Sequence, residues 1–357
     1  CFTWVVVCCV LERVLKAVRW YAPHDMRVVE IEKPAPKPYE ALIRIESTGV
    51  CGSDMHYFAE GRIGKTVITT PIVLGHEYAG IVEDVGGEAD RSLIGRRVAV
   101  EPGIPCMRCE FCLKGHYNVC TKLQFPGGPP NDGALCEYIC VHAAFCFPVP
   151  EGMTSAEAAM IEPLAVALHA IELAKLKAGE SVAILGLGPI GLLTAQVARV
   201  AGAGKIFGCD LHDYRVAASA KHSVDLAFNA ARENTLDVIL RETNGRGVDV
   251  AIDCARSTET PAMCCRVARP AGRCVLVGIS GEENGVFPVD IARRKELTIT
   301  WCRRFLFNFP TAIDFVASGR IDVKSMITHS YPLERSLEAF NLVEQAADGV
   351  LKASIDQ

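Results

Sequence analysis

The chain has 357 residues, half of them hydrophobic, and a formal net charge of −5. This length exceeds the usual single domain of about 100–200 residues, so we expect two domains. The basic residues are spread along the chain, which argues against a nucleic-acid partner because such a partner needs a basic stripe. Seventeen cysteines would suggest disulfides in a small secreted protein. In this long chain, with an odd count and no evident secretory signal, we expect a reducing cytoplasm instead.

The N-terminal end is nearly all apolar from residue 1 to residue 11. The run is shorter than the roughly 20 residues that cross a bilayer. It also lacks the basic segment and the small-residue cleavage site of a signal peptide. We therefore expect residues 1–13 to be an extension outside the fold, and we expect no membrane association.

Short strands separated by glycine and proline are predicted through residues 14–150, at 28–31, 41–46, 81–85 and 97–100. The pattern changes at Thr154 and Glu157, whose spacing is typical of a capping box at a helix start. An alanine-rich helical stretch runs on to residue 176. Pro163 interrupts it, which predicts either two helices or a kink.

Strands alternate with helices in the second half of the chain. An apolar run at 181–185 precedes a glycine-rich turn and a helix at 190–200, and further strands are predicted at 205–209, 248–252 and 274–277. This alternation favours a parallel sheet with helices on both faces, the doubly wound α/β class.

The glycine-rich turn, Gly186-Leu187-Gly188-Pro189-Ile190-Gly191, matches the dinucleotide fingerprint G-x-G-x-x-G. Gly186, Gly188 and Gly191 would allow the tight turn, the approach of the backbone to a pyrophosphate, and close packing of helix on strand. Pro189 and Ile190 begin the helix, whose N-terminus favours phosphate. Asp210 ends the next strand and can accept hydrogen bonds from ribose hydroxyls. Because its carboxylate repels a 2′-phosphate, the sequence predicts NAD rather than NADP, with Arg215 flanking the adenine.

Four cysteines lie within a short segment, at Cys106, Cys109, Cys112 and Cys120. Four thiolates can surround Zn²⁺ as a tetrahedron, and with no open position such a metal is structural. An iron–sulfur cluster is the alternative. The bacterial ferredoxin pattern places its last cysteine three residues on and before a proline, unlike this spacing, so zinc is favoured.

A second metal site is suggested by Cys51 and by His76-Glu77. A thiolate, an imidazole and a carboxylate would leave one position for water or substrate, as in catalytic zinc sites. Spacing alone leaves this open, since a single cysteine is commonly a core residue and a Gly-His-Glu sequence is commonly a loop.

Taken together, these segments resemble the zinc-containing medium-chain dehydrogenase/reductase superfamily, and within it the sorbitol (polyol) dehydrogenase branch. The similarity covers residues 14–357. It is carried by Gly49-Val50-Cys51-Gly52-Ser53-Asp54, Leu74-Gly75-His76-Glu77, the four-cysteine segment, Ile161-Glu162-Pro163-Leu164-Ala165, the Gly186 to Gly191 loop and Ser318-Gly319-Arg320-Ile321-Asp322-Val323.

The resemblance implies a GroES-like β domain formed by residues 14–163 and 301–357, with a Rossmann NAD-binding domain at 164–300. It implies that Cys51, His76 and Glu77 hold a catalytic zinc. Glu162 would lie at the metal, directly or through a water. A homo-oligomer, dimer or tetramer, is expected by the same analogy.

The expected reaction is hydride transfer from a secondary alcohol, such as a polyol, to NAD, with zinc lowering the pKa of the alcohol. Ser53 would accept the hydrogen bond of the alcohol and His56 would pass the proton onward, whereas Asp54 is expected to bond backbone amides. By resemblance, four side chains line the substrate cleft: Tyr57, Phe125, Arg304 and Phe305. Phe305 stands where the branch usually has tyrosine, so another alcohol (threonine, a butanediol or a simple secondary alcohol) is an alternative. A second alternative is that the chain is a non-catalytic NAD-binding relative of these enzymes.

Overall fold

The computed structural model describes residues 14–357, and our expectations for residues 1–13 lie outside that range. The chain divides into two compact units. The first contains the residues up to Glu162 together with Ile327–Gln357, and the second contains Pro163–Met326. The sequence placed the return to the first domain at residue 301. In the structure the second unit runs on to Met326 and includes the helix Phe309–Ala317.

The first unit is built mainly from strands. Their bounds are β1 Val14–Ala22, β2 Asp25–Glu32, β3 Glu40–Gly49, β4 Arg62–Ile63, β5 Thr66–Val67, β6 Ile72–Val73, β7 Glu77–Val85, β8 Arg97–Val100, β9 Tyr138–His142, β10 Cys146–Pro148, β17 Ile327–Pro332 and β18 Lys352–Asp356. The largest sheet has the order β10-β8-β7-β3-β18-β17, with β9 also paired to β3. The C-terminal strand β18 therefore lies directly beside β3, so strands about 300 residues apart in the sequence are neighbours in one sheet.

Five helices lie in this unit or at its boundary: α1 Gly52–Glu60, α2 Glu110–Leu113, α3 Ser155–Ala159, α4 Ile161–Ala174 and α11 Ser336–Glu344. The predicted capping box begins α3, where the Thr154 hydroxyl accepts from the Glu157 amide and the Glu157 carboxylate accepts from the Thr154 amide. The helical stretch does break in two. The break is at Met160, and Pro163 lies in the first turn of α4, where its missing N–H costs nothing.

The second unit contains a six-stranded, wholly parallel sheet with the order β13-β12-β11-β14-β15-β16. Its strands are β11 Val182–Leu185, β12 Ile206–Asp210, β13 Leu226–Asn229, β14 Val248–Asp253, β15 Ala268–Leu276 and β16 Thr298–Trp301. Its helices are α5 Pro189–Val200, α6 Asp213–Ser219, α7 Thr235–Glu242, α8 Thr260–Val267, α9 Val289–Arg294 and α10 Phe309–Ala317. This strand order is that of a Rossmann sheet, in which the direction of winding reverses between β11 and β14.

Each unit has its own hydrophobic core. Tyr78, Phe58 and Phe340 are among the largest fully buried side chains of the first unit, and Phe207 is one of those in the second. None of the helices in residues 14–357 combines the length and the apolar character needed to cross a bilayer.

Candidate functional site

The first unit brings three potential metal ligands together. One ligand atom from each of Cys51, His76 and Glu77 lies within 4.8 Å of the others. Sheet register explains the meeting, because Gly49, at the end of β3, pairs with Glu77, the first residue of β7. Cys51 then caps the N-terminus of α1, and His76 directly precedes β7. Segments distant in sequence therefore supply one donor set.

The Glu77 carboxylate is held through one of its two oxygens. Its Oε2 accepts a hydrogen bond of 2.6 Å from Lys352 Nζ, and both side chains are almost completely buried. Its Oε1 is buried and has no hydrogen-bond partner within residues 14–357. A buried acceptor without a partner costs free energy, and coordination to a cation removes that cost.

The imidazole of His76 is oriented by two neighbours. The Asp54 carboxylate lies 3.2 Å from its Nδ1, and the Ser53 hydroxyl lies 3.4 Å from its Nε2. The same Ser53 hydroxyl donates to Cys51 Sγ at 3.3 Å. A carboxylate on one ring nitrogen is the usual arrangement behind a metal-bound histidine, because it fixes the tautomer and directs the other nitrogen to the metal.

The ionisable side chains of this donor set shift one another's pKa values. Burial raises the pKa of the Cys51 thiol, and the nearby Glu77 carboxylate adds to the rise. Burial disfavours protonated His76, but Asp54 and Cys51 outweigh it, so the pKa of His76 is raised well above its ordinary value. Both shifts favour retention of the protons on these two side chains. A bound Zn²⁺ would displace them, because thiolate and neutral imidazole are the forms that coordinate.

Glu162 is buried in the first turn of α4 and lies outside the group of three within residues 14–357. Burial lowers the pKa of Lys352, but Glu77 and, to a smaller extent, Cys51 and Glu162 outweigh it and raise that pKa above its ordinary value. His56 is buried in α1 rather than exposed on a loop, and its Nδ1 lies 3.8 Å from Glu60. Asp54 also accepts from the Cys51 amide at 3.3 Å, the backbone role expected of it.

The four cysteines of the second candidate site also meet, with all four sulfur atoms within 4.8 Å of one another. Cys109 Sγ lies 3.4 Å from Cys112 Sγ and 3.8 Å from Cys120 Sγ. Sulfurs placed about 2.3 Å from one tetrahedral centre are roughly 3.8 Å apart, so this spacing fits Zn²⁺. A hydrogen bond from the Cys112 amide lowers the pKa of Cys109 to about 6, whereas burial and the neighbouring Cys109 thiol raise the pKa of Cys112 to about 12.

In the second unit, the glycine loop joins β11 to α5 as predicted from the sequence. Gly186 has φ 100°, in the left-handed region that glycine tolerates. A Cβ on Gly191 would lie 1.9 Å from Gly186 O, so only glycine allows the helix to start this close to the strand. Gly188 is the N-cap residue of α5, and Pro189 and Ile190 follow in its first turn. The free amides of that turn face the end of the sheet where a dinucleotide phosphate binds in this fold.

Asp210 is the last residue of β12 and is largely buried. Its Oδ2 accepts from the Leu187 amide at 2.8 Å, and its Oδ1 accepts from the His212 amide at 3.0 Å. Arg215 Nη1 lies 3.6 Å from the same carboxylate. Asp210 thus supports the glycine loop directly, a role that the sequence pattern did not reveal.

Family profiles match both halves of the chain. Residues 37–151 match the alcohol dehydrogenase GroES-like domain, and residues 189–318 match the zinc-binding dehydrogenase domain. The sorbitol dehydrogenase of Bacillus subtilis is 37% identical over 93% of this chain and 95% of its own length. The chain belongs to the zinc-binding dehydrogenase family. The family resemblance and the fold class predicted from the sequence are thereby confirmed.

Other proteins similar to this dehydrogenase are also named as dehydrogenases or as a reductase. The probable D-xylulose reductase A of Aspergillus clavatus is 39% identical over 88% of this chain and 89% of its own. A short chain alcohol dehydrogenase of Escherichia coli CFT073, solved with NADH, aligns with a TM-score of 0.89 at 29% identity, covering 97% of this chain and 100% of that one. A zinc-binding dehydrogenase of Sinorhizobium meliloti 1021, bound to NADP, aligns with a TM-score of 0.88 at 30% identity, covering 96% and 99%.

The four residues predicted to line the substrate cleft of the dehydrogenase differ in their surroundings. The Phe125 ring lies 5.1 Å from that of His76, beside the first candidate metal site. Tyr57 is buried in α1. In the second unit, Phe305 is fully buried and packs edge-on against Phe309, with ring centroids 5.3 Å apart. Arg304 is partly buried and has a left-handed backbone, with φ 57°.

One buried side chain next to the candidate ligands, that of Lys352, could not be predicted from the sequence. Lys352 stands near the C-terminus, in a stretch without a metal-binding pattern. A lysine in a strand usually signals a solvent-exposed face, and only the pairing of β18 with β3 carries this one into the core.

Proposed function

We propose that the chain oxidises a secondary alcohol of the polyol class, such as sorbitol or xylitol, with NAD as hydride acceptor and Zn²⁺ at the Cys51, His76 and Glu77 site. The observation that carries the proposal is this donor set, with Glu77 Oε1 buried and without a hydrogen-bond partner in the described part of the chain. Relatives named sorbitol dehydrogenase and D-xylulose reductase support the polyol class.

Bound zinc would supply a Lewis acid that makes a hydroxyl group more acidic. The residues of the chain would bind and orient the alcohol around it. Ser53, whose hydroxyl already lies near Cys51 and His76, can accept the hydrogen bond of the alcohol and give up its own proton as it takes up that of the alcohol. His56 in the same helix would pass that proton on, and Glu162 would act at the metal. We assign Tyr57, Phe125, Arg304 and Phe305 to the substrate cleft as part of this proposal.

NAD is favoured over NADP because Asp210 would bring a carboxylate to the adenosine ribose, where a 2′-phosphate would be repelled. A solved relative bound to NADP requires that both cofactors be tested. Gly186, Gly188, Pro189, Ile190 and Gly191 would hold the pyrophosphate.

The second zinc is assigned to Cys106, Cys109, Cys112 and Cys120 as a structural ion. All cysteines in residues 14–357 are free thiols, which supports a reducing compartment, and we propose the cytoplasm. A homo-oligomer, dimer or tetramer, is proposed by analogy with the family. Size-exclusion chromatography with light scattering tests it, and a monomer would refute it.

The decisive experiment measures NADH formation with sorbitol, xylitol, ribitol, threonine, butanediol and ethanol, repeated with NADP. Polyols should give the highest kcat/KM. A preference for threonine, butanediol or ethanol would replace the substrate class, and no turnover across the panel would favour a non-catalytic relative. Cys51→Ser should abolish turnover and leave the circular dichroism unchanged. Cys140→Ser, a thiol in β9 outside the metal group, is the matched control and should keep full activity.

A further inference from the structure

The C-terminal strand contributes a buried cation to the first metal site. Lys352 is the first residue of β18 and is 3% exposed. Its Nζ donates to Glu77 Oε2 at 2.6 Å and to the Val50 carbonyl at 3.1 Å. Glu77 is one of the three metal-ligand candidates and Val50 directly precedes another, Cys51. A single ammonium group therefore contacts two of the segments that carry the donor set.

The geometry points to Lys352 as a positioning residue for the metal site: it occupies Glu77 Oε2 so that Oε1 alone is presented to the metal, and it fixes the backbone next to Cys51. This inference rests on the proposed assignment of zinc to that site. Lys352 is not itself a ligand, because an ammonium group has donors and no acceptor.

The position of Glu77 is restricted from the other side as well. Gly49 pairs with Glu77 across the sheet, and a Cβ on Gly49 would lie 2.3 Å from Glu77 Oε2. The absence of a side chain at Gly49 and the ammonium group of Lys352 together leave one place for that oxygen. Glu77 Oε1, without a hydrogen-bond partner within residues 14–357, is then the atom free for a metal.

Strand pairing explains why the lysine reaches this place. β18 lies beside β3 in the sheet, with Ser354 opposite Gly49. Two residues earlier along β18, Lys352 reaches the position where β3 passes into α1 through Val50 and Cys51. Side chains two apart share a face of a strand. The side chain thus extends toward the end of the sheet where the ligands meet.

The test measures zinc affinity by competition with a chromogenic chelator, without substrate or cofactor. Lys352→Met keeps an unbranched side chain that is one atom shorter and removes the donors and the charge. We expect about a 10–100-fold loss of affinity at the Cys51 site, the usual effect of losing a group that holds a metal ligand. Lys352→Arg should retain most of the affinity. The four-cysteine site serves as an internal standard, and its affinity should not change.

The matched control is Lys295→Met. Lys295 Nζ also donates to backbone carbonyls, those of Cys265, Arg266 and Ala268, but it lies in the second unit. Lys295→Met should lower the stability of the protein without changing the zinc affinity of the Cys51 site. If Lys352→Met yields no folded protein, Lys352→Gln, which keeps a donor amide, takes its place. In either case, Cys51→Ser shows which of the two zinc signals belongs to the Cys51 site.

The inference is overturned if the Lys352 variant binds zinc at the Cys51 site as tightly as the wild type. It is equally overturned if both zinc sites weaken together, or if Lys295→Met has the same effect, because the lysine would then act only on general stability. Failure of the proposed alcohol oxidation would be visible separately, as an absence of NADH formation in a protein whose zinc affinity still depends on Lys352.

Discussion

Glu101 leads to the most quantitative prediction, because a buried carboxyl group should make the stability of the first unit depend on pH. It follows β8 directly, is 2% exposed, and has no hydrogen-bond partner for Oε1 within the described residues. Burial raises the pKa of Glu101 from 4.5 to about 7, partly offset by a hydrogen bond from Tyr117. The perturbation is Glu101→Gln, which preserves shape and removes the titration.

The direction in which stability changes with pH follows from comparing the ionisation of Glu101 in the folded and unfolded chains. Below pH 4.5 the carboxyl is protonated in both, and nothing is lost. Between pH 4.5 and about 7 the unfolded chain ionises while the folded chain does not, so the free energy of unfolding falls as the pH rises. Above about pH 7 both are ionised and the loss is complete. At about 1.4 kcal/mol for each pH unit, this interval corresponds to about 3 kcal/mol.

The assay is equilibrium urea unfolding at pH 5.5 and pH 8. Replacing Trp4 and Trp301 by phenylalanine leaves Trp20, buried in the first unit, as the reporter. The Glu101→Gln substitution should raise the free energy of unfolding relative to the wild type, and this increase should be about 2 kcal/mol larger at pH 8 than at pH 5.5. The exposed control Glu30→Gln should change stability by less than about 0.5 kcal/mol at either pH. An equal gain at both pH values, or a larger gain at pH 5.5, would show that the carboxyl of Glu101 does not titrate with a raised pKa in the folded chain.

Three further predictions concern the cofactor, the structural metal and a loop of the second unit. Asp210→Ala should reduce the preference for NAD over NADP by about tenfold, about 1.4 kcal/mol, measured as the ratio of the two kcat/KM values; an unchanged ratio would exclude a ribose contact. Cys112→Ser should remove about one of two zinc ions per chain, measured by elemental analysis, and lower the thermal midpoint; full zinc content would contradict the ligand role. Asn308→Ala should expose the Leu306 amide to hydrogen exchange, because Asn308 Oδ1 accepts from that amide at 2.7 Å; unchanged protection would show that the bond is dispensable.

Local sequence patterns predicted the elements that local forces determine. The capping box at Thr154 and Glu157 needs only two side chains three residues apart, and it begins α3 as expected. The glycine loop likewise depends on short-range sterics, since a Cβ at Gly191 would clash with Gly186 O. Pro163 was placed correctly as a helix signal but not as the break, because proline is compatible with a first helical turn.

Local sequence patterns did not predict the contacts between residues that are distant in the sequence. The second unit continues past β16 to Met326 and includes α10, and no spacing rule in the sequence marks where it ends. The contact of Asp54 with His76 depends on the register of β3 against β7. The role of Lys352 depends in addition on the register of β18. Residue types in a motif can identify potential ligands, whereas the groups that orient them come from strands paired across the whole length of the chain.

The sheet of the first unit therefore determines where its chemistry lies. Three adjacent strands, β7, β3 and β18, end or begin at one level of the sheet, marked by the pairing of Gly49 with both Glu77 and Ser354. The thiolate, the carboxylate and the ammonium group come from those three strand ends, and the imidazole precedes one of them. Because a one-residue slip would turn each side chain to the opposite face, the hydrophobic core that fixes the register of β18 also fixes the donor set. Mutations that loosen the packing of β18 should accordingly reduce zinc affinity even where they contact no ligand.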